Sequence, residues 1–489
     1  MPKTTKTDNE SAQKRRSPGL ACVVLAAGQG TRMRSARAKV LHEVLGRPMV
    51  AYPIGLARAL GANPVVAVLG HQRDSVEAAL VRRFGAGGVR VVEQRERLGT
   101  GHALRVALPA LEGSRGLLLV LYGDVPLLRR ETLSALLNAA RRSGGLALVT
   151  AKLPDATGYG RIVRDGRDGR DGRRRVLRVV EHKDATVEER AIGEINAGIY
   201  AGPLDFFRGE IPRLTARNAA GEYYLTDLIE RAAAGIGVRA IEADFRDVSG
   251  VNDRVQLAEA EATLRARVNA RWMANATLRD PASIVIEPDV VVGADAELGR
   301  GVALRGRTRI GRGARVGDGA LLTDTDVGAG AEVRAYSVAT EAVIGPGAVV
   351  GPFAHLRPGT VLGAAAHVGN FVELKKTRLG AGSKANHLSY LGDATIGRQV
   401  NIGAGTITCN YNGYEKTQTE IADGAFIGSD TQLVAPVTVG RRAVVAAGTT
   451  VTRPVPPGAL AISRAAQVDV PGYAAKLAQR YAGRPPRRR

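Results

Sequence analysis

Cysteine is almost missing from this chain. Its two copies, Cys22 and Cys409, stand 387 positions apart, which excludes a disulfide framework and a cysteine-based metal cluster. Aromatic residues are 4% of the chain, with a single Trp, so no large aromatic core can form. Long hydrophobic runs are absent too. The longest, such as 21–27 and 117–122, fall far below the ~18 residues that cross a bilayer. No apolar signal region follows Met1-Pro2-Lys3-Thr4-Thr5, so a cytoplasmic location is expected.

Acidic residues are in deficit as well: 47 Asp and Glu face 69 Lys and Arg, a net charge of +22. Residues 1–20 and 453–489 carry +3 and +7 of it. No aromatic side chains interleave with the final Arg484-Pro485-Pro486-Arg487-Arg488-Arg489, so the ends read as solvated basic tails rather than a specific nucleic-acid arm. Glycine, by contrast, is abundant. Its 60 copies in 489 residues are about 12% against a usual ~7%, a frequency that suits many turns and a repetitive β structure. At about 150 residues per domain the length suggests roughly three domains.

In the first half, apolar strand signals at 21–27, 64–69, 89–93, 117–121 and 146–151 alternate with helical patterns at 48–61, 73–83, 101–108 and 130–143. This alternation predicts βαβ units around a mostly parallel sheet. The Arg-Asp-Gly repeat at 164–175 has no apolar face and reads as an expanded hairpin loop. From Asp253 to Ala274, Leu257, Ala260, Leu264, Val268 and Trp272 recur at helical spacing. They predict one helix without a local partner, an arm joining two domains, ended by Asp280-Pro281.

Beyond it Ile286, Val292, Leu298, Leu304, Ile310, Val316 and Leu322 stand six apart. The phase returns at Ile344, Val350, Leu356, Leu362, Val368 and Leu374, and again at Ile421, Ile427, Leu433, Val439, Val445 and Val451. An aliphatic every sixth residue beside Gly, Ala or Pro is the hexapeptide signature of a parallel β-helix, three hexads to a coil. The span 283–452 then makes about nine coils. Phase is lost at 379–396 and at 408–419, which predicts extruded loops where Asn386, His387, Tyr390, Asn401, Asn410 and Tyr411 gather.

Two motifs in the first half carry chemistry. Gly28-Gln29-Gly30-Thr31-Arg32 follows the first strand as a phosphate cradle, with Lys39 behind it. Met33 stands where the dinucleotide pattern needs a third Gly. Tyr122-Gly123-Asp124 closes another strand, placing a carboxylate in the ligand crevice, where a single Asp suits Mg²⁺.

These motifs resemble the sugar-1-phosphate nucleotidyltransferases. Gln94, Gly99-Thr100-Gly101-His102, Gly158-Tyr159-Gly160-Arg161, Glu181-His182-Lys183-Asp184, Glu194-Ile195-Asn196, Gly250-Val251-Asn252 and the hexapeptide half narrow the likeness. Over about residues 20–465 the chain resembles the bacterial bifunctional N-acetylglucosamine-1-phosphate uridyltransferase/glucosamine-1-phosphate acetyltransferases. The resemblance implies an α/β Rossmann-like domain at 20–250, a helical linker at 251–277 and a left-handed parallel β-helix at 278–464. Extensions at 1–19 and 465–489 flank them. It departs at Ala38, where the family has Pro, and in the longer 164–175 segment.

The resemblance also implies roles. Arg32 and Lys39 would neutralise charge in uridylyl transfer. Leu25, Ala26, Ala27, Gly28, Lys39, Gln94, Gly99 and Thr100 would hold the uridine nucleotide, Gly160, Glu181 and Asn196 would bind the sugar and its ribose neighbour, and Tyr122 and Gly123 would also line the nucleotide-sugar site. Asp124 and Asn252 would ligate Mg²⁺. In the β-helix His387 would be the base of acetyl transfer. Arg357 and Lys375 would clamp the sugar phosphate, Tyr390 and Asn401 would contact the sugar, and Glu373 would orient the amine or the base. Ala404, Asn410, Tyr411, Ser429, Ala447 and Arg464 would line acetyl-CoA. The implied substrates are glucosamine-1-phosphate, acetyl-CoA, N-acetylglucosamine-1-phosphate and UTP, the product UDP-N-acetylglucosamine, and the assembly a homotrimer. Two rivals stay open on the residues: a monofunctional nucleotidyltransferase with a structural β-helix, and a non-catalytic exchange-factor-like subunit. The latter would be expected to lack Arg32 and Asp124.

Overall fold

The computed structural model describes residues 19–168, 174–463 and 465–482. It divides into two compact units between Arg265 and Ala266, not three, because a repeating coil extends one core instead of starting another. Residues 1–18 and 483–489, which hold most of the tail charge, lie outside the described residues.

The first unit is built on a nine-stranded sheet. Its spine runs Val238–Glu242, Leu146–Lys152, Glu194–Pro203, Leu117–Tyr122, Leu20–Ala26, Val65–Leu69, Arg90–Glu93. The sheet is mostly parallel, as expected, with one reversed strand on its spine: Glu194–Pro203 runs antiparallel to both neighbours. The central strands Leu20–Ala26, Val65–Leu69 and Leu117–Tyr122 are parallel to one another. Both their faces are covered by apolar layers, which is why they read as unbroken apolar runs. The Arg-Asp-Gly segment is only partly a loop. Strands Arg161–Asp168 and Arg174–Val180 pair antiparallel through it, since alternation of Ile162 and Val176 onto the core is enough to hold a hairpin; residues 169–173 lie outside the described residues.

The helix Arg254–Trp272 carries the chain from the first unit into the second, as the expected arm would, but it does not lack local partners. Leu257, Ala260 and Leu264 pack on Val44, Met49 and Leu127, while Val268 and Trp272 join the core of the second unit. Asp280-Pro281 does not end it. The helix stops at Trp272, whose carbonyl accepts from the N–H groups of Asn275 and Ala276, because Trp272 is anchored in the first coil beside Leu278 and Ile284.

The second unit is a left-handed parallel β-helix of three sheets with eleven, ten and nine strands. The span 283–452 holds the about nine coils expected, and strands at Thr277–Leu278 and Leu460–Ala461 extend the stack at either end. All nineteen hexad aliphatics are buried. The lost phase at 379–396 is not an extruded loop. Ala385 and Leu391 occupy inward stations there, fully buried, in strands paired to their neighbours above and below. Five-residue steps at Leu374–Leu379 and Leu391–Ile396 shorten the coil by one residue at a corner, and Ala at an inward station hides the period. A real insertion occurs only after Cys409, before the coil resumes at Thr419–Ile421. Corner residues turn through positive φ even where they carry large side chains, as at Tyr336, Phe353, Phe371 and Leu388. The coil supplies the hydrogen bonds that hold them in this unfavourable region.

Candidate active sites

In the first unit, Leu25 pairs with Tyr122 across parallel strands, so the Gly28 turn and Gly123-Asp124 leave the sheet at the same carboxyl edge. Gly28 is exposed and a Cβ there would meet nothing. Gly30 is held at φ 65°, and a Cβ on it would run into the Lys39 side chain. That contact seats Lys39. The lysine is 9% exposed, and its Nζ donates to Asp124 Oδ2 at 2.6 Å and to Asn252 Oδ1 at 2.7 Å. Asn252 arrives because Val251 N–H donates to the Asp124 carbonyl at 2.9 Å. Replacing Gly30 by Ala forces both a strained φ and a displaced Lys39. We expect uridylyl transfer to fall about tenfold or more with acetyl transfer unchanged, measured as pyrophosphate and thiol release from one preparation.

The oxygens of Asp124 and Asn252 converge on one nitrogen, and both are hard donors. This pair fits Mg²⁺, which takes its remaining ligands from water and substrate phosphates. Among the described residues no group of three or more His, Cys, Asp or Glu could hold a metal, so an all-protein cage is not available.

Gln94 is buried and donates from Nε2 to the Gly99 carbonyl at 3.2 Å, with His102 Nδ1 at 3.1 Å. Gly99, at φ 102°, leaves room for the Tyr223 backbone. The Thr100 hydroxyl accepts from Leu225 N–H. Burial pushes the Tyr122 phenol well up, as do the carboxylates of Glu181 and Asp124. Asn196 donates to the Tyr200 phenol at 2.6 Å. Gly160 lies against Val179 and Glu181, where a Cβ would crowd both. Arg32 is exposed on the turn after Gly30. The phenol of Tyr159 is within electrostatic range of both Arg32 and Asp124. Tyr159, Thr226 and Gln256 were not singled out as site residues by sequence reasoning. Tyr159 could have been, from Gly158-Tyr159-Gly160, and Gln256 from its place four residues after Asn252, whose N–H its Oε1 accepts at 2.7 Å; Thr226 reaches the site only through the fold.

Burial raises the Glu181 carboxyl above its ordinary value, opposed by the Thr226 hydroxyl, which donates to Oε1 at 3.0 Å. A carboxyl whose folded pKa is raised costs stability where it is charged, and that cost disappears as pH falls. Glu181→Gln keeps the acceptor for Thr226 and removes the charge. It should raise the unfolding temperature of the first unit at neutral pH, and the gap from wild type should shrink through the raised pKa and close below the unfolded value. Calorimetry across that range checks it; a gap independent of pH refutes the assignment.

In the second unit, one corner repeats through five coils. Asn370, His387, Ala404, Ser429 and Ala447 each stand two residues past the inward station of paired first-sheet strands, at Val368, Ala385, Ile402, Ile427 and Val445. Backbone bonds join these corners, from Leu388 N–H to the Asn370 carbonyl and from Asp430 N–H to that of Ala404. His387 therefore lies in line with three of the residues expected to line acetyl-CoA. Past that corner, on the second sheet, Arg357 Nη1 is 2.8 Å from Glu373 Oε1, and Lys375 Nζ is 3.5 Å from Asp393 Oδ2. Tyr390 lies beside Glu373 on the next strand. Asn410 is buried and donates to Asp393, which puts it with Lys375 rather than in the Ala404 column. Lys416, in the inserted segment, lies near Lys375, and the neighbouring positive charge pushes its ammonium down. Asp393 and Lys416 carry no periodic signal, so sequence reasoning assigned them no role.

Two expected residues lie elsewhere, and a third is outside the described residues. Asn401 opens a first-sheet strand beside Lys384, not on the sheet of Tyr390. Tyr411 is exposed, its hydroxyl donating to the Gly413 carbonyl. Arg464 lies outside the described residues. His355 and His367 begin strands facing Glu373 and Lys384. Cys22 and Cys409 are free thiols, and burial pushes that of Cys22 far up.

Residues 22–184 match the family model of the MobA-like NTP transferase domain, and residues 341–376 match that of the bacterial transferase hexapeptide (six repeats). Full-length relatives decide the matter. The chain is 51% identical over 461 residues to the bifunctional protein GlmU of Trichlorobacter lovleyi, covering 93% of this chain and 98% of that protein. It is 51% identical to the same-named protein of Sorangium cellulosum, over 94% of this chain and 97% of that one. The chain belongs to the GlmU family. Both site clusters described above lie within the span it shares with these GlmU proteins. Among the described residues no helix is long and apolar enough to cross a membrane.

Proposed function

We propose that this member of the GlmU family makes UDP-N-acetylglucosamine in two steps, each on its own unit. Acetyl-CoA acetylates glucosamine-1-phosphate on the β-helix. UTP then uridylylates N-acetylglucosamine-1-phosphate in the α/β unit, and pyrophosphate leaves. The observation that carries this reading is the pair of separate clusters: Lys39 with Asp124 and Asn252 in the first unit, and in the second the His387 corner with Asn370, followed on the next sheet by Arg357–Glu373 and Lys375–Asp393.

In the first site Leu25 to Gly28, Gln94, Gly99 and Thr100 hold the nucleotide, while Gly160, Glu181 and Asn196 hold the sugar and ribose. Arg32 and Lys39 neutralise phosphate charge and set the sugar phosphate oxygen in line with the α-phosphorus. Asp124 and Asn252 would hold Mg²⁺, which would supply further neutralisation of the triphosphate. Lys39 donates to those same two oxygens, which places its ammonium where the phosphate charge would gather. In the second site His387 takes the proton from the substrate ammonium. The freed amine attacks the thioester carbonyl, and the coenzyme thiol leaves with a proton. Arg357 and Lys375 bind the sugar phosphate through charge-assisted hydrogen bonds. Ala404, Ser429 and Ala447 offer a smooth corner to the coenzyme, joined by Asn410, Tyr411 and Arg464. Asn401 contacts the sugar from a different sheet than Tyr390, which fits a homotrimer with sites at subunit boundaries. The setting is cytoplasmic, where UTP and acetyl-CoA are both present.

One assay tests the reading: glucosamine-1-phosphate, acetyl-CoA, UTP and Mg²⁺ together, with thiol and pyrophosphate followed separately. Release of both, with pyrophosphate dependent on thiol release, is expected. Pyrophosphate without any thiol, on supplied N-acetylglucosamine-1-phosphate, would reduce the protein to a nucleotidyltransferase with a structural β-helix.

A further inference from the structure

We infer that Asn370 is the positioning residue of the acetyl transfer base, holding His387 in the one tautomer that leaves Nε2 free to take a proton. The inference rests on the reading of His387 as the base. Asn370 and His387 are directly paired across parallel strands, and the Asn370 Oδ1 lies 3.0 Å from His387 Nδ1. An amide oxygen only accepts, so Nδ1 carries the hydrogen and donates it, and the lone pair belongs to Nε2.

The backbone supports the arrangement. Leu388 N–H donates to the Asn370 carbonyl at 3.1 Å, and the Ser389 hydroxyl donates to the His387 carbonyl at 2.8 Å. Gly369 makes the approach possible, since a Cβ there would strike the Asn386 backbone. The His387 imidazole is exposed, so packing does not hold the ring and the Asn370 amide is its one side-chain partner among the described residues. Asn370 stands one coil away from His387, on the side opposite Ala404. It therefore orients the ring without occupying the corner assigned to the coenzyme.

The partner is neutral, and this has a distinct signature. A carboxylate at that distance would favour the imidazolium, whereas an amide fixes the tautomer without holding the proton on. The titratable groups facing His387 are few. The adjoining strand His367–Asn370 contributes His367, the histidine's own strand contributes Lys384, and Asn401–Ile402 contributes none.

The test compares Asn370→Ala, Asn370→Asp and His387→Ala in the full-length protein, measuring kcat and KM of acetyl transfer across pH. Asn370→Ala should lower kcat on the order of 10- to 100-fold with KM for both substrates little changed. Asn370→Asp should keep most of kcat at high pH but move the acid limb of the profile upward by about one pH unit or more. Imidazole ¹⁵N shifts should show Nδ1 protonated in the neutral wild-type ring and mixed tautomers in Asn370→Ala. Wild-type kcat in Asn370→Ala, or an unmoved acid limb in Asn370→Asp, overturns the inference provided His387→Ala is inactive. If His387→Ala keeps acetyl transfer, the assignment of the base fails instead.

Discussion

Asp124→Ala, and with it the isosteric Asp124→Asn, should lower uridylyl transfer on the order of 10²–10³-fold or more while acetyl transfer stays near wild type. Three consequences meet at this carboxylate. The proposed cation loses its only charged ligand from the protein. Lys39 loses the partner 2.6 Å from its Nζ and is left with the Asn252 amide. The Gly250 backbone, packed against Asp124, loses its support in the alanine variant but not in the asparagine one. Leaving a mostly buried ammonium short of an acceptor costs about 1–3 kcal/mol, so the first unit should also unfold at a lower temperature. Pyrophosphate and thiol release, measured separately, check the activity, and calorimetry checks the stability. Retention of uridylyl transfer in both variants would remove Asp124 from the site.

His387→Ala produces the opposite separation. General-base removal typically costs ~10²–10⁴-fold, and acetyl transfer should fall by about that much. The substitution leaves every first-unit site residue in place, so supplied N-acetylglucosamine-1-phosphate should still be converted to the UDP-sugar. Stability should hardly change, because the side chain is exposed and its loss opens no cavity. Mixing Asp124→Ala with His387→Ala protein should restore the whole pathway through a free intermediate. Failure of the mixture, with each single variant active in its remaining step, would show that the intermediate is not released.

The first-half strands were legible because they are covered on both faces, and short unbroken apolar runs between turn residues arise where neither face meets water. The antiparallel strand Glu194–Pro203 was not, since strand direction is set by the chain's route and leaves no mark on composition. The β-helix was legible wherever the inward station is a large aliphatic. It was misread at Ala385, where a small side chain fills the station and a five-residue step follows. The catalytic sites divide in the same way. Glycine turns and a lone Asp at a strand end are local, so Gly28, Gly30 and Asp124 could be found. Thr226, Asp393 and Lys416 could not, because each meets its partner from another strand or coil.

By itself the sequence determined the repeating coil, the parallel strands around the phosphate turn, and the residue types that the two reactions require. These follow from periodicity and local turn chemistry, which act over a few residues and so leave a linear trace. Only the tertiary structure decided which groups meet. It put Lys39 between Asp124 and Asn252, stacked Asn370, His387 and Ala404 on one corner, and sent Asn410 to Asp393. Such meetings depend on strand register and on where each coil turns. A one-residue step at a corner moves every later side chain to a new neighbour, and no local pattern records the result.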